Sequence, residues 1–184
     1  MIELRDLQDD DSDRLFAWRR EPEVDRWMSG PHPESAALHA LWFEKLRADT
    51  DRCGWIIGSA GEPVGFLLLA GLSGRHRRAE WGWYIGEAKA RGRGAGRAAQ
   101  ALGLDRAFLE HDVDKVWSEV LADNEVALRA QAAAGFRREG YLRRHVVKNG
   151  RAHDIVVLGV LKEEWAQRRD AARRDLVKSG LIAA

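Results

Sequence analysis

The stretch RGRGAG, residues 91–96, places three glycines and two arginines between an aromatic run at 80–87 and an alanine-rich run at 97–111. This order predicts a strand, a short loop and a helix whose first amides have no intrahelical acceptor. Such amides, together with the helix dipole and nearby guanidinium groups, can hold a phosphate. The alternative is a basic left-handed turn that only connects the strand to the helix.

The glycine spacing excludes two common nucleotide-binding loops. A Rossmann loop requires G-x-G-x-x-G, whereas the glycines here stand at positions 92, 94 and 96. A Walker loop requires G-x-x-x-x-G-K-[ST], and neither Lys-Ser nor Lys-Thr follows this stretch. The segment therefore favours a phosphate site of another kind.

Hydrophobic periodicity places the loop within an ordered series of strands and helices. The predicted strands are 1–7, 53–59, 64–72, 79–86, 115–122 and a pair joined by the Asn-Gly turn at 149–150; the predicted helices are 11–20, 33–49, 95–111, 124–135 and a charged tail from 162. A strand meander combined with crossover helices predicts an α/β domain with a mixed sheet. We expect one domain over 1–184, with 162–184 as a C-terminal helical extension.

Composition narrows the class of protein further. The net charge is +1, from 30 basic and 29 acidic residues, which argues against a nucleic-acid partner. The single cysteine, Cys53, excludes a disulfide framework and a cysteine-based zinc site, and we expect no metal. The N-terminus lacks a signal-peptide pattern and the apolar run at 64–72 is short, so we expect a cytoplasmic protein without membrane contact. The tail helix could pack on a second copy, as in a homodimer.

Two blocks of the sequence resemble the GNAT acetyltransferase superfamily. Arg91, Gly94 and Gly96 occupy the fixed positions of its pyrophosphate-binding signature, [QR]-x-x-G-x-[GA]. The block EVLADNEVALRAQAAAGF, residues 119–136, is similar to the strand and helix that follow this loop in the superfamily. The resemblance spans roughly 55–160 and implies the GNAT fold, with a mixed, mostly antiparallel sheet flanked by helices.

The resemblance implies acetyl-CoA as the acetyl donor. Its pyrophosphate would lie on the loop, and its pantetheine arm would pair with a strand edge where two neighbouring strands splay apart. Gly82 would mark a bulge in that strand or a close approach to a tryptophan. Asn124 would contact the pantetheine or cap its own helix. The implied cofactor-binding residues are Trp83, Tyr84, Ile85, Arg91, Gly92, Arg93, Gly94, Ala95, Gly96, Arg97 and Asn124.

Acetyl transfer to an amine needs a base, an oxyanion donor and a proton for the departing thiolate. Glu119 and Glu80 are the candidate bases, and a backbone amide near Ile85 is the candidate oxyanion donor. Many members of the superfamily carry a tyrosine as the acid seven residues after the asparagine. This chain has Gln131 at that position, and an amide is not acidic near neutral pH. We therefore assign no acid.

The N-terminal half, with its W-R-x-x-P-E-V stretch, resembles bacterial nucleotide-aminosugar N-acetyltransferases of the pseudaminic acid pathway. That resemblance implies transfer to the 4-amino group of a nucleotide-linked, UDP-type sugar. Aromatic faces and arginines suit a uracil ring and a diphosphate. The candidate substrate-binding residues are Trp18, Arg19, Trp27, His145 and His153.

Two alternatives for the function stay open on the sequence. An N-α-acetyltransferase of ribosomal or other protein N-termini would use a similar C-terminal half. An inactive acyl-CoA-binding module would explain the glutamine at position 131.

Overall fold

The computed structural model describes residues 1–183, and its elements follow the predicted order. The strands are β1 (Ile2–Asp6), β2 (Arg52–Ser59), β3 (Glu62–Ala70), β4 (Arg78–Ile85), β5 (Lys115–Leu121), β6 (Arg137–Lys148) and β7 (Arg151–Leu161). The helices are α1 (Asp11–Arg20), α2 (Pro22–Asp25), α3 (Ala36–Arg47), α4 (Ala95–Asp105), α5 (Glu125–Ala134) and α6 (Lys162–Lys178). A π-helical turn at Arg106–Glu110 follows α4, where a continuous helix to residue 111 was predicted.

The seven strands form one sheet in the order β1-β2-β3-β4-β5-β7-β6. Every neighbouring pair is antiparallel except β4 and β5, which run parallel because α4 crosses over between them. The predicted α/β fold with a mixed, mostly antiparallel sheet is confirmed.

Helix α4 covers one face of the sheet. Its buried Ala98, Ala99 and Leu104 share a core cluster with Leu67 of β3 and Trp81 of β4. The small alanine side chains let the helix lie close to the strands, and this fixes the loop at its N-terminus.

Helix α6 packs beside α4 through the carboxylate of Asp105. That carboxylate accepts hydrogen bonds from the Trp165 indole at 2.9 Å, from Arg169 at 2.7 Å and from Arg173 at 2.8 Å. The tail helix is thus joined to the helix that carries the loop.

Helices α1 and α3 cover the opposite face of the sheet. Leu15, Trp18 and Phe43 from these helices pack on Ile56 of β2 and Phe66 of β3. Helix α3 starts at Ala36 because the Ser35 hydroxyl accepts the amide of Leu38 at 3.2 Å. The buried tryptophans of the chain are Trp18, Trp55, Trp81 and Trp165. Of the helices within residues 1–183, none is both long and apolar enough to cross a bilayer.

Candidate active site

The site is built on a fork between β4 and β5. These strands are paired at only three positions, the last of which joins Glu80 to Trp117. Strand β4 then continues to Ile85, and β5 continues to Leu121 while paired only with β7. The edge of β4 beyond Glu80 therefore faces an opening, as expected from the predicted splay.

Two carboxylates lie at the vertex of the fork on the face opposite α4. Successive side chains of a strand alternate between its faces, so Glu80 and Glu119 lie on the same side as Trp117. Both side chains reach solvent at the mouth of the cleft. Burial among the cleft walls raises the pKa of Glu80, and the negative charge of Glu119 raises it further. A carboxyl group with a raised pKa is matched to proton transfer near neutral pH.

Gly82 lies between Glu80 and Tyr84 on this face. Pairing of β3 with β4 runs without a register shift from Gly65–Ile85 to Ala70–Glu80, so β4 carries no bulge at Gly82. A Cβ atom at Gly82 would meet nothing within 4 Å. The predicted bulge and the predicted close approach to a tryptophan are therefore both wrong. The effect of Gly82 is to leave space beside the two carboxylates.

The RGRGAG loop lies at the open end of the fork. Gly92 and Gly94 have φ values of 72° and 86°, the left-handed region that glycine adopts without strain. The first intrahelical hydrogen bond runs from the amide of Ala98 to the carbonyl of Gly94, at 3.0 Å. The amides of Ala95 and Gly96 therefore precede the hydrogen-bonded helix and are free to bind an anion.

The arginines of the loop have separate roles. The Arg91 guanidinium turns back and donates to the carbonyls of Ile85 at 2.9 Å and Gly86 at 2.8 Å. Arg97 donates to Asp175 at 2.9 Å and to the Ser179 hydroxyl at 3.3 Å. Their side chains are engaged within the protein, in place of the predicted direct contact with phosphate. Arg93 is exposed.

Helix α5 closes the other side of the fork. Asn124 caps this helix, since its Oδ1 accepts the amide of Ala127 at 3.1 Å. Gln131 is buried, and its Oε1 accepts from the Ser118 hydroxyl at 2.7 Å and from the Trp81 indole at 3.4 Å. Trp81 belongs to β4 and Ser118 to β5, so Gln131 joins the two strands just past their last paired position.

The aromatic residues predicted to bind the substrate are less open than expected. Trp18 is 4% exposed, packs on Gly86 and donates its indole N–H to Glu87 at 3.0 Å. It offers no open face to a substrate. Trp27 is half-buried, and the guanidinium of Arg26 lies over its ring, 4.8 Å from the centroid.

Arg19 lies near the aromatic cluster of α1 and α3. One of its terminal nitrogens donates to the carbonyl of Pro31 at 3.0 Å. Burial lowers the pKa of His39, and the charge of Arg19 lowers it further. Within residues 1–183, neither nitrogen of His39 has a hydrogen-bond partner.

An irregularity in β6 brings His145 to the carboxylates. Leu142 pairs with Ile155 and Val146 pairs with His153, so β6 carries two extra residues between these pairs. The ring nitrogen Nε2 of His145 lies 4.0 Å from a carboxylate oxygen of Glu119. His153 lies opposite Val146 on β7, a position that brings it no contact with Glu80 or Glu119 among those the structure shows.

Sequence reasoning missed Lys148, at the end of β6. Its ammonium group donates to the carbonyls of Asp25 and Met28, the latter at 2.9 Å, and its side chain is 10% exposed. The contact ties the β6–β7 hairpin to the turn after α2. A lysine beside an Asn-Gly turn ordinarily indicates a solvated hairpin end, so the sequence carries no signal for this contact.

Comparison with known proteins agrees with the geometry. The family model for the acetyltransferase (GNAT) domain matches residues 2–137, and the chain belongs to this family. It is therefore an acetyl-CoA-dependent N-acetyltransferase, as predicted. The free loop amides and the unpaired edge of β4 fit this donor.

The similar proteins include enzymes named for polyamines. The chain is 27% identical to an uncharacterized N-acetyltransferase, YoaA of Bacillus subtilis, over 86% of this chain and 92% of YoaA. It is 23% identical to spermidine N(1)-acetyltransferase of Escherichia coli K12, over 96% and 95% of the two chains. The crystal structure of Vibrio cholerae spermidine N-acetyltransferase with CoA and spermine superposes with a TM-score of 0.82, at 22% identity over 90% and 98% of the chains.

Proposed function

We propose that this enzyme acetylates a primary amine of a small, cationic acceptor of the polyamine type. The observation that carries the proposal is the pair of carboxylates, Glu80 and Glu119, beside the open space at Gly82. Two neighbouring carboxylates attract an ammonium group and repel a phosphate. The similarity to spermidine acetyltransferases supports the same acceptor class.

The geometry gives less support to a nucleotide-linked sugar. Its diphosphate would need free arginines, but Arg19 and Arg20 donate to the carbonyls of Pro31 and Pro33. In the loop between β3 and β4, Arg77 is paired with Asp112 and Asp114. Trp18 is buried and cannot stack on a uracil ring. The relatives named above likewise give no support to an aminosugar acceptor.

In the proposed arrangement, the pyrophosphate of acetyl-CoA lies on the loop from Gly92 to Gly96, with Arg93 beside it. The pantetheine arm pairs with the edge of β4 at Trp83 and Tyr84, because the Ile85 carbonyl already accepts from Arg91. The amide nitrogen of Asn124 is available to the arm, since the cap uses only the Oδ1 atom. The four steps from Trp81 to Ile85 along the strand span about 13 Å, which places the thioester at the vertex of the fork.

We assign Glu80 as the base, because its pKa is raised toward the working pH. Its carboxylate takes a proton from the bound ammonium group, which frees the nitrogen lone pair to attack the acetyl carbon. Glu119 lies beside it and holds the ammonium group in place before the proton is removed. His145, within 4.0 Å of Glu119, lies where it can hydrogen-bond the acceptor.

We treat residues 1–184 as one catalytic domain, since α6 is joined to α4 through Asp105.

Release of CoA thiol with a panel of acceptors tests the proposed substrate. The panel contains spermidine and spermine, UDP- and dTDP-linked amino sugars, and peptides with free N-termini. We expect the polyamines to give the highest kcat/KM. A higher kcat/KM with an amino sugar or a peptide would contradict the proposal and leave the acetyl-CoA dependence intact.

A further inference from the structure

Gln131 is held at the vertex of the fork in a single orientation. It is 4% exposed, and its Oε1 accepts the two hydrogen bonds from Ser118 and Trp81. An indole N–H can only donate, so the oxygen of the amide must face Trp81 and the nitrogen must face away.

The nitrogen of this amide has no partner in the protein. Within residues 1–183, the Nε2 atom of Gln131 forms no hydrogen bond. The protein does have fully enclosed polar atoms without a partner, such as the side-chain oxygen of Gln100, but Nε2 of Gln131 is not one of them. An unpaired donor on a buried side chain is costly unless a ligand or water accepts from it. The Nε2 atom is therefore not fully enclosed, and it belongs to a side chain whose oxygen is held by Trp81 of β4 and Ser118 of β5, directly beyond the last paired position of these strands.

The surrounding contacts keep this donor rigid. Trp81 stacks on Phe136 with ring centroids 4.8 Å apart and an interplanar angle of 22°. Helix α5 is fixed at its start by the Asn124 cap and ends at Gly135, which has a φ of 109°. A donor fixed before the reaction costs no reorganisation when charge develops beside it.

We propose that the Gln131 Nε2–H donates a hydrogen bond to the sulfur of CoA as the thiolate departs. This inference rests on the proposed position of the thioester at the vertex of the fork and is independent of the acceptor. The C–N bond forms, the C–S bond breaks, and the electron pair stays on sulfur. Gln131 keeps its own proton, and water carries the proton lost by the acetylated nitrogen to the sulfur.

The consequence is a leaving group that is stabilised by hydrogen bonding in place of protonation by a side chain. A hydrogen bond to a charged group corresponds to a factor of about 10 to 100 in an equilibrium or a rate. The same hydrogen bond must lower the thiol pKa of bound CoA, because it favours the thiolate over the thiol.

The test is a titration of the CoA thiol on the protein, followed by the ultraviolet absorbance of the thiolate. Desulfo-CoA, which lacks the sulfur, provides the blank for titration of the protein's own groups. We expect the bound thiol to have a lower pKa than free CoA in the wild type and in Gln167→Met, the same replacement at an exposed glutamine of α6. In Gln131→Met, which is similar in size and cannot donate, we expect the pKa to return toward that of free CoA.

Steady-state kinetics on the same proteins gives the second readout. We expect kcat of Gln131→Met to fall about 10- to 100-fold relative to Gln167→Met, with both variants checked for folding by thermal unfolding. An unchanged thiol pKa in the wild type, or equal thiol pKa values in the wild type and Gln131→Met, would overturn the inference. Failure of CoA to bind would instead contradict the proposed cofactor position, and the inference with it.

Discussion

Glu80 and Trp117 are the last residues at which β4 and β5 are paired, and the next residues of the two strands, Trp81 and Ser118, are the two that hold Gln131. The carboxylates Glu80 and Glu119 lie on one face of the fork, and Gln131 joins the strands on the other. The parallel pairing places the ends of both strands at the same edge, and in the proposed arrangement the donor enters from the loop side and the acceptor from the opposite side.

The first prediction concerns the pH dependence of the base. Glu80 accepts a proton only when it is ionised, so kcat/KM should rise as the pH rises through its raised pKa. Glu119→Gln removes a charge that raises this pKa, and the acidic limb of the profile should move to lower pH. Glu80→Gln should lower kcat/KM by about 10²- to 10⁴-fold at all pH values.

The pH profiles of kcat/KM for the two variants decide between the carboxylates. A small effect of Glu80→Gln together with a loss of about 100-fold or more in Glu119→Gln would assign the base to Glu119.

The second prediction concerns the backbone of the loop. Gly94 has a φ of 86°, and a Cβ atom there would lie 2.7 Å from Leu181. Gly94→Ala should therefore weaken CoA binding and stability through both strain and collision. Gly92→Ala is the matched control, because its φ of 72° imposes strain of about 1 kcal/mol while the space around it is open. Calorimetric titration with CoA measures both variants, and equal affinities would contradict the role of Leu181.

The sequence predicted the succession of strands and helices along the chain and the loop because both depend on local patterns. The glycines at 92 and 94 and the Asn-Gly turn at 149–150 correspond to backbone conformations that few other residues adopt. The partners of long side chains depend on the tertiary structure and could not be read in this way. Arg91 matched the signature, yet its guanidinium binds the end of β4.

The acceptor residues were the least predictable part of the site. Trp18 has the side chain of a substrate platform, but its position on α1 faces the sheet, where burial of a large ring is favourable. From the sequence, Gln131 indicated only that the usual acidic side chain is missing. Its hydrogen bonds connect it to Ser118 and Trp81, which lie 13 and 50 positions away in the chain. No local pattern encodes such contacts.

The third prediction concerns Lys148, which links the β6–β7 hairpin to the turn after α2. Lys148→Met removes the donors but keeps most of the apolar stem. The turn should become mobile, and KM for the acceptor should rise by about 10-fold or more, since the charged hydrogen bonds to Asp25 and Met28 are both lost. KM for acetyl-CoA should stay unchanged. The exposed Lys89, replaced by Met, is the control, and an equal effect of both variants on acceptor KM would contradict this role.

The fourth prediction concerns the Arg5–Asp11 pair, which joins β1 to the start of α1. The Asp11 carboxylate accepts two hydrogen bonds of 2.7 Å from Arg5 and one of 2.8 Å from the Gln8 amide. Burial raises the pKa of Asp11, but these hydrogen bonds outweigh it and the pKa is lowered. Since Asp11 is buried and Arg5 is partly exposed, Asp11→Asn should lower the free energy of unfolding by about 2–3 kcal/mol at neutral pH.

The sign of the pH dependence follows from the lowered pKa of Asp11. The ionised carboxylate stabilises the folded state above the pKa of the unfolded chain, about 3.9, and this contribution is lost as the pH falls through the lower folded pKa. The difference in unfolding free energy between wild type and Asp11→Asn should therefore be constant near neutral pH and narrow below about pH 4. Urea unfolding at several pH values measures it. Asp9→Asn, at a side chain that is 90% exposed, is the control and should change stability by less than about 0.5 kcal/mol. A difference between wild type and Asp11→Asn that widened in acid would show that the carboxylate is not stabilised by Arg5.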